Sequence, residues 1–112
     1  MTDRLPNGMS NDLIRVMREI FGGRLLSIVL YGSTARGEQT EGSDIDVAVF
    51  LNGPLSKDEK RKMLSVLVDL DWKYDCMLSV NDIEQATFDQ WADVLPYYRN
   101  IKKDGIVLWK AA

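Results

Sequence analysis

Apolar and polar positions in this chain follow two periods, and the change from one to the other marks out its elements. Leu13, Ile14, Met17, Ile20 and Phe21 recur at helical spacing. A helix is therefore expected to start near Ser10 to Asp12, whose side chains can cap it, and to stop at Gly22-Gly23. Arg24 to Tyr31 and Ile45 to Leu51 are short apolar runs bounded by Gly, Ser, Asn and Pro, and they read as buried strands. In the second run, Ile45, Val47, Val49 and Leu51 form a uniformly apolar face that should pack against helices. Asp44, Asp46, Ala48 and Phe50 form the opposite face.

Downstream, Ser56-Lys57-Asp58-Glu59 is a capping box. It predicts a helix to about Leu70, with a wide buried face of Met63, Leu64, Val66, Leu67, Val68 and Leu70. Lys57, Lys60, Arg61 and Lys62 crowd its first turns, an unfavourable end of the helix dipole for cations, and read as a solvated face. Trp72 to Val80 alternates and predicts a third strand. Asn81 to Asp93 reads as a loop with a short helix around Phe88 to Trp91, and Trp91 is expected in the core, with a partner contact as the alternative. Leu95 to Lys103 should be a helix with Pro96 in its first turn, ended by Gly105. Ile106 to Trp109 makes a last strand. This order predicts an α/β (α+β) fold: a single mixed sheet with helices on one face, and an open cleft over the face that carries the aspartates.

Composition narrows the function classes. A chain of 112 residues, 46% hydrophobic, fits one domain with one core. It shows no membrane-spanning run and no signal-peptide pattern, and its lone Cys76 can make no internal disulfide, so a cytoplasmic location is the expectation. With no histidine, His-based catalysis and His-ligated metals are excluded. A net charge of −3 argues against general nucleic-acid binding through a basic surface.

The chemistry concentrates between the first two strands. Asp44 and Asp46 lie two residues apart on a strand, so both carboxylates point to one face, with Cα atoms about 6.5 Å apart. Two anions on one face repel each other and favour a cation between them. Hard oxygen donors without His or thiol suit Mg²⁺, or Mn²⁺, at one or two positions. At the other end of the connection, Gly32 permits a sharp turn and the close approach of a bulky anion. Ser33 adds a hydroxyl and an N–H, and Thr34, Ala35 and Arg36 can form one helical turn facing a phosphate. Arg36 would supply a forked cationic donor. Gly-Ser in a turn, or an Asp at a strand start, is ordinary alone. The full Gly32-Ser33-x₁₀-Asp44-x-Asp46 pattern should arise by chance in roughly one chain of this length in a thousand.

That pattern resembles the signature of the DNA polymerase β-like nucleotidyltransferase superfamily. The text around it, Leu-Tyr-Gly-Ser-Thr-Ala-Arg-Gly-Glu and then Gly-Ser-Asp-Ile-Asp-Val, is similar to the superfamily's minimal nucleotidyltransferase (MNT) branch, over nearly the whole chain. The resemblance implies a palm-like nucleotidyltransferase fold. It implies an enzyme that moves a nucleoside monophosphate from an NTP to a hydroxyl, with AMP from ATP as the expected pair. Gly32, Ser33, Arg36 and Ser43 would bind the nucleotide, and Asp44 and Asp46 would hold two Mg²⁺ ions. The family carries a third carboxylate on a later strand. Asp75 matches it best by position, as a metal ligand that also orients or deprotonates the acceptor. Asp71, at a helix-to-strand turn, is its rival.

The acceptor is implied by the family alone. MNT proteins are often encoded beside a helical HEPN protein. In some pairs the HEPN protein is a toxic ribonuclease, and its MNT partner is an antitoxin that transfers AMP to one of its tyrosines. That is the leading expectation. Two alternatives stand beside it: a non-catalytic nucleotide-binding antitoxin or regulatory subunit, and transfer to a small molecule such as an aminoglycoside with the help of a partner subunit. Exposed strand edges and the cleft leave a homo- or hetero-oligomer open.

Overall fold

The computed structural model describes residues 5–38 and 44–112. Helix α1 (Met9–Phe21) leads through a 3₁₀ turn (Gly22–Arg24) into strand β1 (Leu25–Tyr31). The short helix α2 (Gly32–Arg36) follows, then strand β2 (Ile45–Leu51) and helix α3 (Lys57–Tyr74). Strand β3 (Leu78–Glu84), helices α4 (Gln85–Trp91) and α5 (Pro96–Asp104) and strand β4 (Ile106–Lys110) complete the chain. The four strands form one mixed sheet in the order β3-β2-β1-β4. β1 runs antiparallel to both β2 and β4, whereas β3 lies parallel to β2.

Local signals account for most boundaries. Ser56 accepts the N–H of Glu59 at 3.1 Å and Glu59 accepts that of Ser56 at 3.0 Å, so the capping box forms as expected. Glu59 also receives the Arg24 guanidinium, which donates to the Pro54 carbonyl as well, tying the entry of α3 to the start of β1. Pro96 opens α5 within its first turn. Gly105 closes α5 because a Cβ there would overlap the Ile101 carbonyl and stand 2.7 Å from Val29 Cγ1. α1 starts without the expected side-chain cap: its N-cap is Gly8. Asp12 instead accepts from Lys73 Nζ at 2.7 Å and Tyr74 Oη at 2.5 Å, joining α1 to the end of α3.

Strand alternation divides the interior in two. Ile28 and Leu30 of β1 and Val47 and Val49 of β2 face α1 and α3, packing with Leu13, Met17, Met63 and Leu67. Val29, Tyr31, Ala48 and Phe50 face the other way, against Phe88, Tyr98 and Ile101. The mixed sheet is as the sequence pattern predicts, with its main helical layer over the face of Ile45, Val47, Val49 and Leu51. The second face is not wholly open, because Phe88 of α4 and Tyr98 and Ile101 of α5 pack against its middle.

Three expectations are corrected. α3 continues four residues past Leu70 to Tyr74, so Trp72 to Tyr74 are helical and the third strand begins only at Leu78. Alternation over Trp72 to Cys76 therefore belonged to a helix end, where Asp71 accepts the backbone N–H of Leu78 at 2.9 Å. Trp91 is 41% exposed rather than buried in the core. Leu64 and Val68 lie outside the buried face of α3, at 51% and 56% exposure, because that face is made by Met63, Leu67 and Leu70 with Val66 and Tyr74 partly buried beside them.

Candidate active site

β1 ends and β2 begins side by side, so Tyr31 is the register partner of Asp46. The next residue, Gly32, turns the chain into α2 with φ +76°, a conformation open to glycine at little cost. A side chain there would overlap Asp46 Oδ2 and stand 3.2 Å from its Cγ. The glycine end and the carboxylate end of the motif are therefore in direct contact, although thirteen residues separate Gly32 from Asp46. Ser33 lies in the first turn of α2 and is half-buried, and its carbonyl accepts the N–H of Glu38 at 2.8 Å.

Asp44 is exposed immediately before β2, and Asp46 is half-buried on it. Burial, and then the neighbouring charge of Asp44, raise the Asp46 carboxyl above the ordinary carboxylate range, and Arg36 partly opposes them. The two carboxylates thus sense each other, as their alternate spacing predicts. Arg36 is not a free donor: it pairs with Glu38 at 2.6 Å and with Asp104 of α5 at 3.3 Å. Ser43 lies outside the described residues.

Asp75 does not stand where it was expected. It is the C-cap of α3, in the left-handed region at φ 49° and ψ 55°, and not a strand residue. Left-handed backbone suits Asp better than most residues, which accounts for a carboxylate at this position without any ligand. Asp71 is likewise a helix residue, occupied with the N–H of Leu78. Among the described residues no group of three His, Cys, Asp or Glu side chains gathers to hold a metal. The β3 residues in register with Asp46 and Ala48 are Ser79 and Asn81, neither of them acidic.

Asn81 belongs to a cluster that pattern reading missed. Its amide donates to Tyr31 Oη at 2.9 Å, and Tyr31 Oη bonds Tyr97 Oη at 2.8 Å. The two tyrosine rings meet edge to face, 5.8 Å apart. Burial first, then the bond to Tyr31 and the nearby charge of Asp46, push the Tyr97 phenol well above its usual range. Tyr97 therefore stays protonated beside Asp46, as a neutral hydroxyl on the wall of the site. Tyr31 could have been suspected from its place before Gly32 on the aspartate face. Tyr97 and Asn81 carry no local signal, since the fold alone brings them there.

The donor set fits a hard divalent cation: two neighbouring carboxylates, one with its proton affinity raised by burial and then by the other, beside a glycine that leaves room for an anion.

Residues 10–108 match the nucleotidyltransferase domain family. The chain belongs to that family. An inferred protein adenylyltransferase of Methanocaldococcus jannaschii is 30% identical to this nucleotidyltransferase over 81 residues, 70% of this chain and 55% of the relative. A spectinomycin 9-adenylyltransferase of Staphylococcus aureus is 24% identical over 103 residues, 92% of this chain and 39% of that protein. The chain thus spans about half the length, or less, of these two relatives. Among solved structures, a toxin–antitoxin with AMP-PNP superposes with a TM-score of 0.64 at 22% identity, over 91% of this chain and 73% of the other. A complex of a tri-AMPylated Shewanella oneidensis HEPN toxin with its MNT antitoxin gives 0.59 at 20% identity, over 92% and 71%. The nucleotidyltransferase palm-like fold expected from the sequence is the one observed.

Proposed function

We propose that this nucleotidyltransferase moves AMP from ATP to a hydroxyl of a protein partner, a tyrosine of a HEPN-type toxin, and so serves as its antitoxin. The observation that carries this reading is the contact between Gly32 and the half-buried Asp46 carboxylate, which supports assigning the turn to the phosphates and the carboxylates to the metal of one site. The names of the relatives support adenylyl transfer to protein, and the AMPylated HEPN complex supports the partner.

In this reading Asp44 and Asp46 hold two Mg²⁺ ions. When bound, the metal neutralises charge on the transferred phosphate and on the leaving pyrophosphate. The chain's own residues do the positioning. Gly32 admits the triphosphate and Ser33 donates to it. Arg36, exposed and paired with Glu38 and Asp104, lies close enough for its charge to act on Asp46, and so balances the anions gathered there. The acceptor hydroxyl releases its proton to solvent, its oxygen bonds to the α-phosphorus, the bond from that phosphorus to the α–β bridging oxygen breaks, and pyrophosphate leaves. Asp75 receives no part in this step.

Label transfer tests the reading. The purified protein is incubated with each α-labelled NTP, Mg²⁺ and the product of the neighbouring reading frame, beside an Asp44→Asn/Asp46→Asn control. Label from ATP on the partner, absent in the control, is the expected result. A partner neutralised equally well by the control would mean that binding alone suffices. Transfer to spectinomycin instead of protein would move the acceptor to a small molecule, which the 24% identity to the spectinomycin enzyme makes worth including.

A further inference from the structure

The outer surface of α3 carries an apolar stripe that none of the described residues covers. Leu64, Val68 and Trp72 follow one another at four-residue steps and are 51%, 56% and 83% exposed. They share a helix face turned well away from the core positions Met63, Leu67 and Leu70. An 83% exposed tryptophan is costly to leave in water when two further apolar side chains extend the patch beside it.

The stripe is bounded by charges of opposite sign. Arg61, 79% exposed, lies one turn before Leu64, and Asp75, also exposed, lies one turn after Trp72. The positions 61, 64, 68, 72 and 75 are separated by three, four, four and three residues, so the stripe is symmetric about Val68. A two-fold axis at Val68 would lay a second α3 antiparallel on the first. Leu64 would then meet the Trp72 of the other copy, and Arg61 would meet its Asp75. An isologous contact of this kind needs one self-complementary patch, and this stripe has the required order: cation, apolar, apolar, apolar, anion.

The same arrangement bears on Arg61 within the basic start of α3, where Lys60 and Lys62 already pair with Asp82 at 3.8 Å and Asp58 at 3.1 Å. Lys57, Lys60, Arg61 and Lys62 sit at the positive end of the helix dipole. Arg61 has a partner within its own helix, Asp58 at 3.6 Å, but that pair is exposed on both sides and weak. An antiparallel copy would set the negative end of its α3, with Asp75, against Arg61. Antiparallel pairing therefore turns an unfavourable placement into a favourable one.

We propose that the α3 stripe is a homodimer interface, with a second copy of this chain as its occupant. The contact is short, about 21 Å of helix at 1.5 Å per residue, so a weak, concentration-dependent dimer follows.

Sedimentation velocity on the full chain tests this. The expected result is a shift with concentration from the 12.7 kDa monomer toward twice that mass. Trp72→Ala, on the surface and harmless to the core, should raise the dissociation constant at least tenfold. Arg61→Glu should do likewise by facing Asp75 with a like charge. Adding Asp75→Asn, which keeps a residue tolerant of left-handed backbone, should recover part of that loss. In a Cys76→Ser background, Val68→Cys should form a disulfide-linked dimer on oxidation, and the off-stripe control Asp69→Cys should not. A monomer at all concentrations, a dimer indifferent to Trp72→Ala, or equal cross-linking at 68 and 69 would overturn the proposal. So would a monomer whose Trp72→Ala variant loses only the binding of a different protein.

Discussion

The two faces of the sheet are built from the same strands and serve opposite ends. Toward α1 and α3, alternate residues of β1 and β2 make a dry layer in which Ile28, Leu30, Val47 and Val49 are fully buried. Toward α4 and α5, the intervening residues begin as an apolar patch around Phe50 and Phe88 and end in polar groups at Tyr31, Asp46 and Asn81. One face resists change through volume and the other through charge and hydrogen bonding. Asp46 can be held half-buried, next to Asp44, because its strand neighbours Ile45 and Val47 are anchored in the opposite layer.

The sharpest break of this contrast is Asp46→Asn. Removing a charge that acts on the reacting phosphate should cost on the order of 10³-fold or more in label transfer, about 4 kcal/mol of barrier. Stability should move the other way. The folded state raises the Asp46 carboxyl, so its stabilising contribution is present below the unfolded value and lost as pH rises through the folded one. At neutral pH the variant should therefore show an unchanged or higher urea midpoint.

Met63→Ala is the reciprocal test on the dry face. Met63 is fully buried between α3 and the sheet, and truncation should cost about 2–5 kcal/mol in urea unfolding. The fraction that remains folded should keep its activity, since no site residue moves.

Gly32→Ala should affect both properties, because this residue joins the faces. A non-glycine residue at φ +76° is strained by about 1–3 kcal/mol, and its Cβ would displace the Asp46 carboxylate. Lower stability together with lost transfer is the expected pair, read by thermal melting and the label assay.

Tyr97→Phe is milder. It deletes the 2.8 Å bond to Tyr31 and should cost about 0.5–1.5 kcal/mol in urea unfolding. If the Tyr31–Tyr97 pair only braces α5 against β1, transfer by the folded variant should stay near wild type.

Asp12→Asn gives the smallest effect and probes the far side of the dry layer. Bonds from Lys73 and then Tyr74 lower the Asp12 carboxyl from 3.8 to about 2. Its contribution is present above pH 3.8 and is lost as pH falls through about 2, so the variant should flatten the acid limb of a urea-midpoint profile measured between those values.

Legibility varied with how local each cause is. The capping box at Ser56, the Pro96 start of α5 and the Gly105 stop depend on residues within a turn of one another, and all were readable. The end of α3 was not. Trp72 to Cys76 alternate well enough for a strand, and the groups that bond the end of α3, Asp12 and the Leu78 N–H, belong to other elements. Asp75 was consequently placed on a strand that starts three residues later. Tyr97 and Asn81 reach Tyr31 across 66 and 50 residues, a distance no periodic pattern reports.

The sequence by itself determined the strand pair around Gly32 and Asp46, the polar character of one face and the apolar character of the other. These follow from side-chain alternation and from what glycine alone permits. Only the tertiary structure decided that Gly32 touches Asp46, that α4 and α5 narrow the cleft, and that Leu64, Val68 and Trp72 face outward. Helical spacing lists which residues share a face of α3, but packing against the sheet selects which face is buried. Met63, Leu67 and Leu70 are buried there, with Val66 and Tyr74 packed partly buried beside them.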